Sequence, residues 1–115
     1  MIDKMLKARA KTISEAELQR SVIDAAHLFG YLVAHFRPAW TGKGYRTAVG
    51  ADGKGWPDLT FARPGRFFVA ELKSMTGRMS CDQVMWRAQL REAGVEFHTW
   101  TPMEWLDGTI EAVLA

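Results

Sequence analysis

Apolar and polar positions follow two different periods along this chain, and the switches between them mark its elements. Between Ser14 and Phe29 the apolar residues Leu18, Val22, Ala25, Ala26 and Phe29 recur at helical spacing. Ser14-Glu15-Ala16-Glu17 ahead of them matches a capping box, with Ser14 as N-cap and Glu17 reaching back, and Gly30 ends the helix. Tyr31 to Phe36 predicts a first strand. Asp58 to Ala62 and Phe67 to Lys73 predict two more, and the Arg63-Pro64-Gly65-Arg66 turn between them predicts an antiparallel hairpin. Ser80-Cys81-Asp82-Gln83 is a second capping box, opening a helix that runs to about Ala93 before Gly94. Val95 to Trp100 reads as a fourth strand. Thr101 to Glu104 follows as a short helical turn with proline at its first helical position, and Thr109 to Leu114 as a weakly amphipathic tail.

The helix after Ser80 has two apolar stripes. Trp86, Leu90 and Ala93 share one face with Gln83, while Cys81, Val84, Met85 and Ala88 lie on nearly the opposite side. Such a helix is expected to be sandwiched or to form part of an interface, and the second stripe raises the expectation of a homodimer. Between Arg37 and Trp56 no periodicity survives. That stretch holds five glycines, the basic residues Arg37, Lys43, Arg46 and Lys54, and the aromatics Trp40, Tyr45 and Trp56. Basic residues interleaved with aromatics suit a nucleic-acid strand, and a polar loop with stray aromatics is the plainer reading. A second glycine-containing basic loop, Ser74 to Met79, carries Arg78.

Composition narrows the class. The chain has 115 residues, 48% apolar and 24% charged, which suits one soluble globular domain. Residues 1–13 read as a tail or a short extra helix, 14–115 as the domain, and 37–57 as its long basic glycine-rich loop. A single cysteine, Cys81, excludes an internal disulfide, and three histidines beside it make no zinc-finger spacing, so a reducing, intracellular setting is expected. The Met1 to Lys11 segment lacks the apolar run of a secretory signal or membrane span. Fifteen basic against thirteen acidic residues leave a net charge of +2, too mild to argue for nucleic acid without regard to where the charge sits.

The chemistry concentrates in Gly55-Trp56-Pro57-Asp58 and Glu71-Leu72-Lys73. Alternation along the strand puts Glu71 and Lys73 on one face and Phe68, Ala70 and Leu72 on the other, so an acid and a lysine are expected to point out together beside Asp58. Two carboxylates can hold a hard divalent cation, and an ammonium can orient or help deprotonate a water, the parts that phosphodiester hydrolysis needs. Glu15 lies within the apolar sector of its helix, where either a shared metal site or a helix-dipole contact explains it. Gln19 lies one turn on. His35, near the end of the first strand, reads as a packed histidine ahead of a catalytic one, and Gln83 first as a capping-box partner.

These pieces, in order, resemble the VRR-NUC family within the PD-(D/E)xK nuclease superfamily, in particular its small free-standing phage and bacterial members. The resemblance covers about Ser14 to Leu114. It rests on Ser14-Glu15 with Leu18-Gln19, His35, Gly55-Trp56-Pro57-Asp58-Leu59, Ala70-Glu71-Leu72-Lys73-Ser74, Gly77-Arg78-Met79-Ser80 with Gln83, and Gly94-Val95 leading to Trp100-Thr101-Pro102. It implies an α/β fold in αβββαβ order, with a four-stranded mixed sheet flanked by helices. It further implies that Asp58, Glu71, the Leu72 carbonyl and Glu15 bind Mg²⁺ or Mn²⁺, that Lys73 serves the attacking water, and that Gln83 contributes to the site. The implied activity is a metal-dependent DNA endonuclease selective for branched structures such as Holliday junctions or flaps. A homodimer, a recombination or replication partner protein, and the cytoplasm of a bacterial or phage-infected cell follow as its setting. The alternative is a catalytically silent or partner-dependent nucleic-acid-binding module with the same fold.

Overall fold

Helices packed on a sheet built from a hairpin and a crossover make the fold, seen in a computed structural model that describes residues 2–36, 39–40, 45–46 and 50–115; the side chains at 39, 40, 45 and 46 are outside that description. The helices are α1 (Ile2–Ala10), α2 (Glu15–Leu28), α3 (Cys81–Glu92), α4 (Pro102–Leu106) and α5 (Thr109–Leu114). The strands are β1 (Leu32–His35), β2 (Ala39–Trp40), β3 (Tyr45–Arg46), β4 (Leu59–Arg63), β5 (Arg66–Leu72) and β6 (Glu96–Trp100). Of the two readings of the first residues, the helix holds: α1 packs on α4 and buries Ala10.

Four strands form one mixed sheet in the order β1-β4-β5-β6. β1 with β4 and β4 with β5 pair antiparallel, and β5 with β6 pairs parallel. Parallel pairing requires a crossover, and α3 supplies it. The four strands and the helices around them are those the chain's periodicity predicts, and they assemble into the four-stranded mixed sheet flanked by helices that the resemblance implies. The strand edges differ by a residue, since the β4–β5 turn tightens to Pro64-Gly65 and lets Arg63 pair with Arg66. Within the long loop β2 and β3 add a two-stranded antiparallel ladder that periodicity did not announce.

Each face of the sheet buries its own cluster. On one, Leu59, Phe61, Phe68, Ala70, Leu72 and Trp100 meet Leu18, Val22 and Ala26 of α2 and Ile110 and Leu114 of α5. Phe61 stacks on Phe68 at 4.4 Å, and Tyr31 stands edge-on to both rings. On the other, Val69 and Phe97 meet Leu90 of α3, with Trp56, Met79 and Trp86 around them. This second cluster covers only the β5–β6 half of the sheet and fixes α3 over Glu71. The Val84–Met85 side of α3 is exposed instead of sandwiched.

The hairpin end of the sheet is tied by charge. Arg66 forks onto Glu96, with Nη2 2.7 Å from Oε2 and Nε 3.3 Å from Oε1, and donates also to the Tyr31 hydroxyl and the Val113 carbonyl. Arg63 donates to the carbonyls of Phe29 and Ala115. These bonds sew β4, β5 and β6 to the end of α2 and to the last residues of the chain.

Candidate functional site

The approach to Asp58 is built around a glycine. Gly55 has φ +91°, and a Cβ there would lie 2.6 Å from the backbone carbon and Cβ of Asp82, so no other residue fits without moving the loop off α3. Around it the loop is clipped to the start of that helix. Trp86 Nε1 donates to the carbonyls of Asp52 (2.9 Å) and Lys54 (3.1 Å), Lys54 lies 3.6 Å from Asp82, and Trp56 meets Trp86 edge-on at 5.1 Å. Trp56 Nε1 then donates to Thr60 Oγ1, and Pro57 is fully buried. Asp58 is thereby delivered to the end of β5, where its Oδ2 accepts the Leu72 N–H at 2.8 Å.

Glu71 corrects the expectation drawn from alternation. It does lie opposite Phe68, Ala70 and Leu72, but it does not point out: it is 1% exposed, because α3 and the Gly55 loop roof its face of the sheet. Oε1 accepts from Gln83 Nε2 at 3.1 Å. Gln83 at the same time completes the capping box, its Oε1 accepting the Ser80 N–H and its own N–H donating to Ser80 Oγ. The capping box thus fixes the side chain that donates to Glu71. Among the described residues no N–H or O–H donates to Glu71 Oε2, which is buried. The Glu71 carboxyl is pushed up to about 9, first by burial, then by the hydrogen-bonding and charge of Asp58 and the charge of Glu15, with Lys73 opposing.

Glu15 and Lys73 complete the electrostatic neighbourhood. Glu15 stands in the exposed first turn of α2, yet protein crowds its carboxyl enough for desolvation to raise its pKa, helped by Asp58 and opposed by Lys73. Lys73 follows β5 directly, half-buried, and its N–H donates to the Trp100 carbonyl. Gly77 folds the next loop back on it; a Cβ at Gly77 would lie 3.3 Å from Ser74 N and 3.4 Å from Lys73 Cδ. His35 at the end of β1 is held by the Gln19 side chain of α2. Asp58, Glu71, Lys73, Gln83 and Glu15 are thus brought to one end of the sheet.

The basic residues are spread more widely. Lys54 is exposed and paired with Asp82, and Arg78 is exposed on the loop after Lys73. Arg37, Lys43 and the Arg46 side chain lie outside the described residues. An open cleft of about 460 Å³ lies outside the acid pair, lined by Lys54, Asp82, Met85, Trp86 and Gln89 with Ala51 and Asp52. Sequence reasoning missed Thr99, whose hydroxyl is buried on β6 beside Glu71 with no partner among the described residues; only the parallel register brings it there.

Whether these residues suit a divalent cation is a question of donor chemistry. Among the described residues no three His, Cys, Asp or Glu side chains converge into a ready metal cage. Magnesium does not require one, since it takes one or two carboxylates and fills its remaining positions with waters and substrate phosphate oxygens. Asp58 and Glu71 offer that pair, and Glu71 Oε2 is a hard oxygen that no donor among the described residues serves. The donor set fits Mg²⁺ or Mn²⁺.

Comparison of the chain with family models, with curated proteins and with solved structures returned no match.

Proposed function

We propose that this protein is a metal-dependent deoxyribonuclease with a PD-(D/E)xK core of the VRR-NUC type. The observation that carries the reading is Glu71: a carboxyl buried at the end of a central strand, beside Asp58 and Lys73, with one oxygen that no donor among the described residues serves. Burying such a group costs free energy that a purely structural strand end would avoid. The order α2-β1-β4-β5-α3-β6, with an antiparallel hairpin followed by a parallel crossover, supports the αβββαβ core.

In this reading Asp58, Glu71 and the Leu72 carbonyl hold Mg²⁺ or Mn²⁺, with Glu15 adding negative charge from α2. When bound, the cation supplies Lewis-acid stabilisation of charge on the phosphate and leaving oxygens. The chain's own residues set the rest. The Leu72 N–H fixes Asp58, Gln83 fixes Glu71, and the Lys73 ammonium donates to the attacking water and offsets phosphate charge. Lys54 and Arg78 supply phosphate contacts, and Arg37, Lys43 and Arg46 are assigned the same role from sequence. Branched DNA is the favoured substrate, and the exposed Cys81, Val84, Met85 and Ala88 stripe on α3 supports a homodimer addressing two strands.

The test is cleavage of a labelled panel (four-way junction, flap, duplex, single strand) with Mg²⁺, Mn²⁺ or EDTA, alongside Asp58→Ala and Lys73→Ala. Metal-dependent cutting that falls on the order of 10³-fold in each variant is expected, several kcal/mol of transition-state stabilisation being removed. Tight DNA binding without turnover under any cation would favour the partner-dependent binding module. Variants that cut like wild type would place the chemistry elsewhere.

A further inference from the structure

Among the described residues, two buried side-chain oxygens have no hydrogen-bond partner: Glu71 Oε2 and Thr99 Oγ1. They are not scattered. Glu71 and Thr99 are register partners in the parallel β5–β6 pairing, and their side chains rise on the same face, under α3. Unpaired buried polar groups are rare in folded proteins, and each costs about 1–3 kcal/mol if left so. Two on adjacent strand positions are simplest to understand as parts of one arrangement.

A carboxylate that binds a cation needs its orientation fixed by hydrogen bonds from groups that do not themselves touch the metal. Glu71 has one such donor, Gln83, and it serves Oε1 alone. A carboxylate oxygen has two lone pairs, so Oε2 can face a cation with one and accept a hydroxyl proton with the other. Thr99 is the neutral donor nearest to it by register, and as a hydroxyl it can turn to serve without moving the strand. Resting on the nuclease reading, we infer that Thr99 is a positioning residue for the metal site: once a cation is bound, its hydroxyl donates to Glu71 Oε2, directly or through one buried water, and with Gln83 holds the carboxylate at both oxygens.

The test uses the full chain without DNA. Mn²⁺ binding is measured by titration calorimetry for wild type, Thr99→Val and Thr99→Ser, with thermal melting of each in EDTA. Valine keeps the volume and removes the hydroxyl; serine keeps the hydroxyl. Thr99→Val is expected to bind Mn²⁺ about tenfold more weakly or worse, the usual range for losing such a supporting donor. Its metal-free melting temperature should not fall, because the hydroxyl it loses has no partner there. Thr99→Ser should restore binding to within about twofold. Equal Mn²⁺ affinity in wild type and Thr99→Val overturns the assignment while leaving the nuclease reading intact. A Thr99→Val protein that melts lower, with binding that serine fails to restore, overturns it in favour of a packing role. Wild type that binds no Mn²⁺ overturns the metal reading, and the assignment with it.

Discussion

Arg66 and Glu71 lie five residues apart on one strand, at its two ends, and the fold treats their charges in opposite ways. Arg66 reaches four acceptor atoms on three residues: both Glu96 oxygens, the Tyr31 hydroxyl and the Val113 carbonyl. Its partner Glu96 is held below the usual carboxylate range, first by the hydrogen bond from Arg66, with His98 Nε2 2.6 Å away adding to it. Glu71 is more deeply buried, accepts from a single donor among the described residues, and shares its surroundings with two other acids. The first arrangement uses charge to close the sheet. The second gathers acids where burial and mutual repulsion make Glu71 hold its proton, at a cost in stability that a bound cation would offset.

The difference is broken most directly at Glu71. Glu71→Gln keeps the shape and the acceptor for Gln83 while removing the charge. If the acid serves chemistry, cleavage drops on the order of 10³-fold as several kcal/mol of metal-assisted stabilisation are lost. In EDTA at neutral pH the same variant should melt a few degrees higher, the equivalent of about 1 kcal/mol in a chain of this size. Loss of activity with gain of stability is a signature that a structural acid does not give. A Glu71→Gln protein that melts lower in EDTA would mean that Glu71 holds the sheet together as Arg66 does.

The opposite end should respond the other way. Arg66→Met keeps an unbranched side chain but removes both the guanidinium that lies over Phe68 and its fork onto Glu96, leaving Tyr31 and Val113 without their donor. Because Arg66 and Glu96 are partly open to solvent, the expected loss is about 1–2 kcal/mol, below that of a fully buried pair. Mn²⁺ affinity should stay within twofold of wild type, as nothing in the Arg66 network touches the site. A tenfold change in Mn²⁺ affinity would show that the two ends are coupled through β5.

How much of this contrast sequence could reveal follows from the range of the interactions involved. Local chemistry was legible: the Ser14 and Ser80 caps, the Pro64-Gly65 turn, and the strands and helices between them are each specified by neighbours in the chain. The acids and Lys73 were legible as a set, through spacing and resemblance. That Glu71 is buried was not. Alternation tells which residues share a face, whereas whether a helix roofs that face depends on α3 docking through Leu90 and Trp86. The Arg66 fork and the Thr99 hydroxyl were invisible for the same reason, since Glu96 and Thr99 arrive on β6 only after the crossover fixes a parallel register. Gly55 stood out as part of a motif, but its reason, the backbone of Asp82 against it, is a tertiary contact.

The two ends also predict opposite pH dependences, which the same two carboxyls can be made to separate. Glu96 is more acidic folded than unfolded, so its contribution is complete above the ordinary carboxylate value near 4.5 and disappears as pH falls through its lowered folded value. Glu71 is less acidic folded than unfolded. Its protonated form favours the folded state, so stability is lost progressively as pH rises from about 4.5 and the loss levels off above about 9. Melting of the metal-free protein from pH 3 to pH 10 in EDTA should therefore weaken on both sides, for reasons at opposite ends of one strand. Glu96→Gln should flatten the acid side alone, and Glu71→Gln the alkaline side alone. An alkaline side that Glu71→Gln leaves unchanged would remove the buried acid as its cause. An acid side that Glu96→Gln leaves unchanged would mean that the Arg66 fork adds little in water, and the contrast would then rest on burial rather than on pairing.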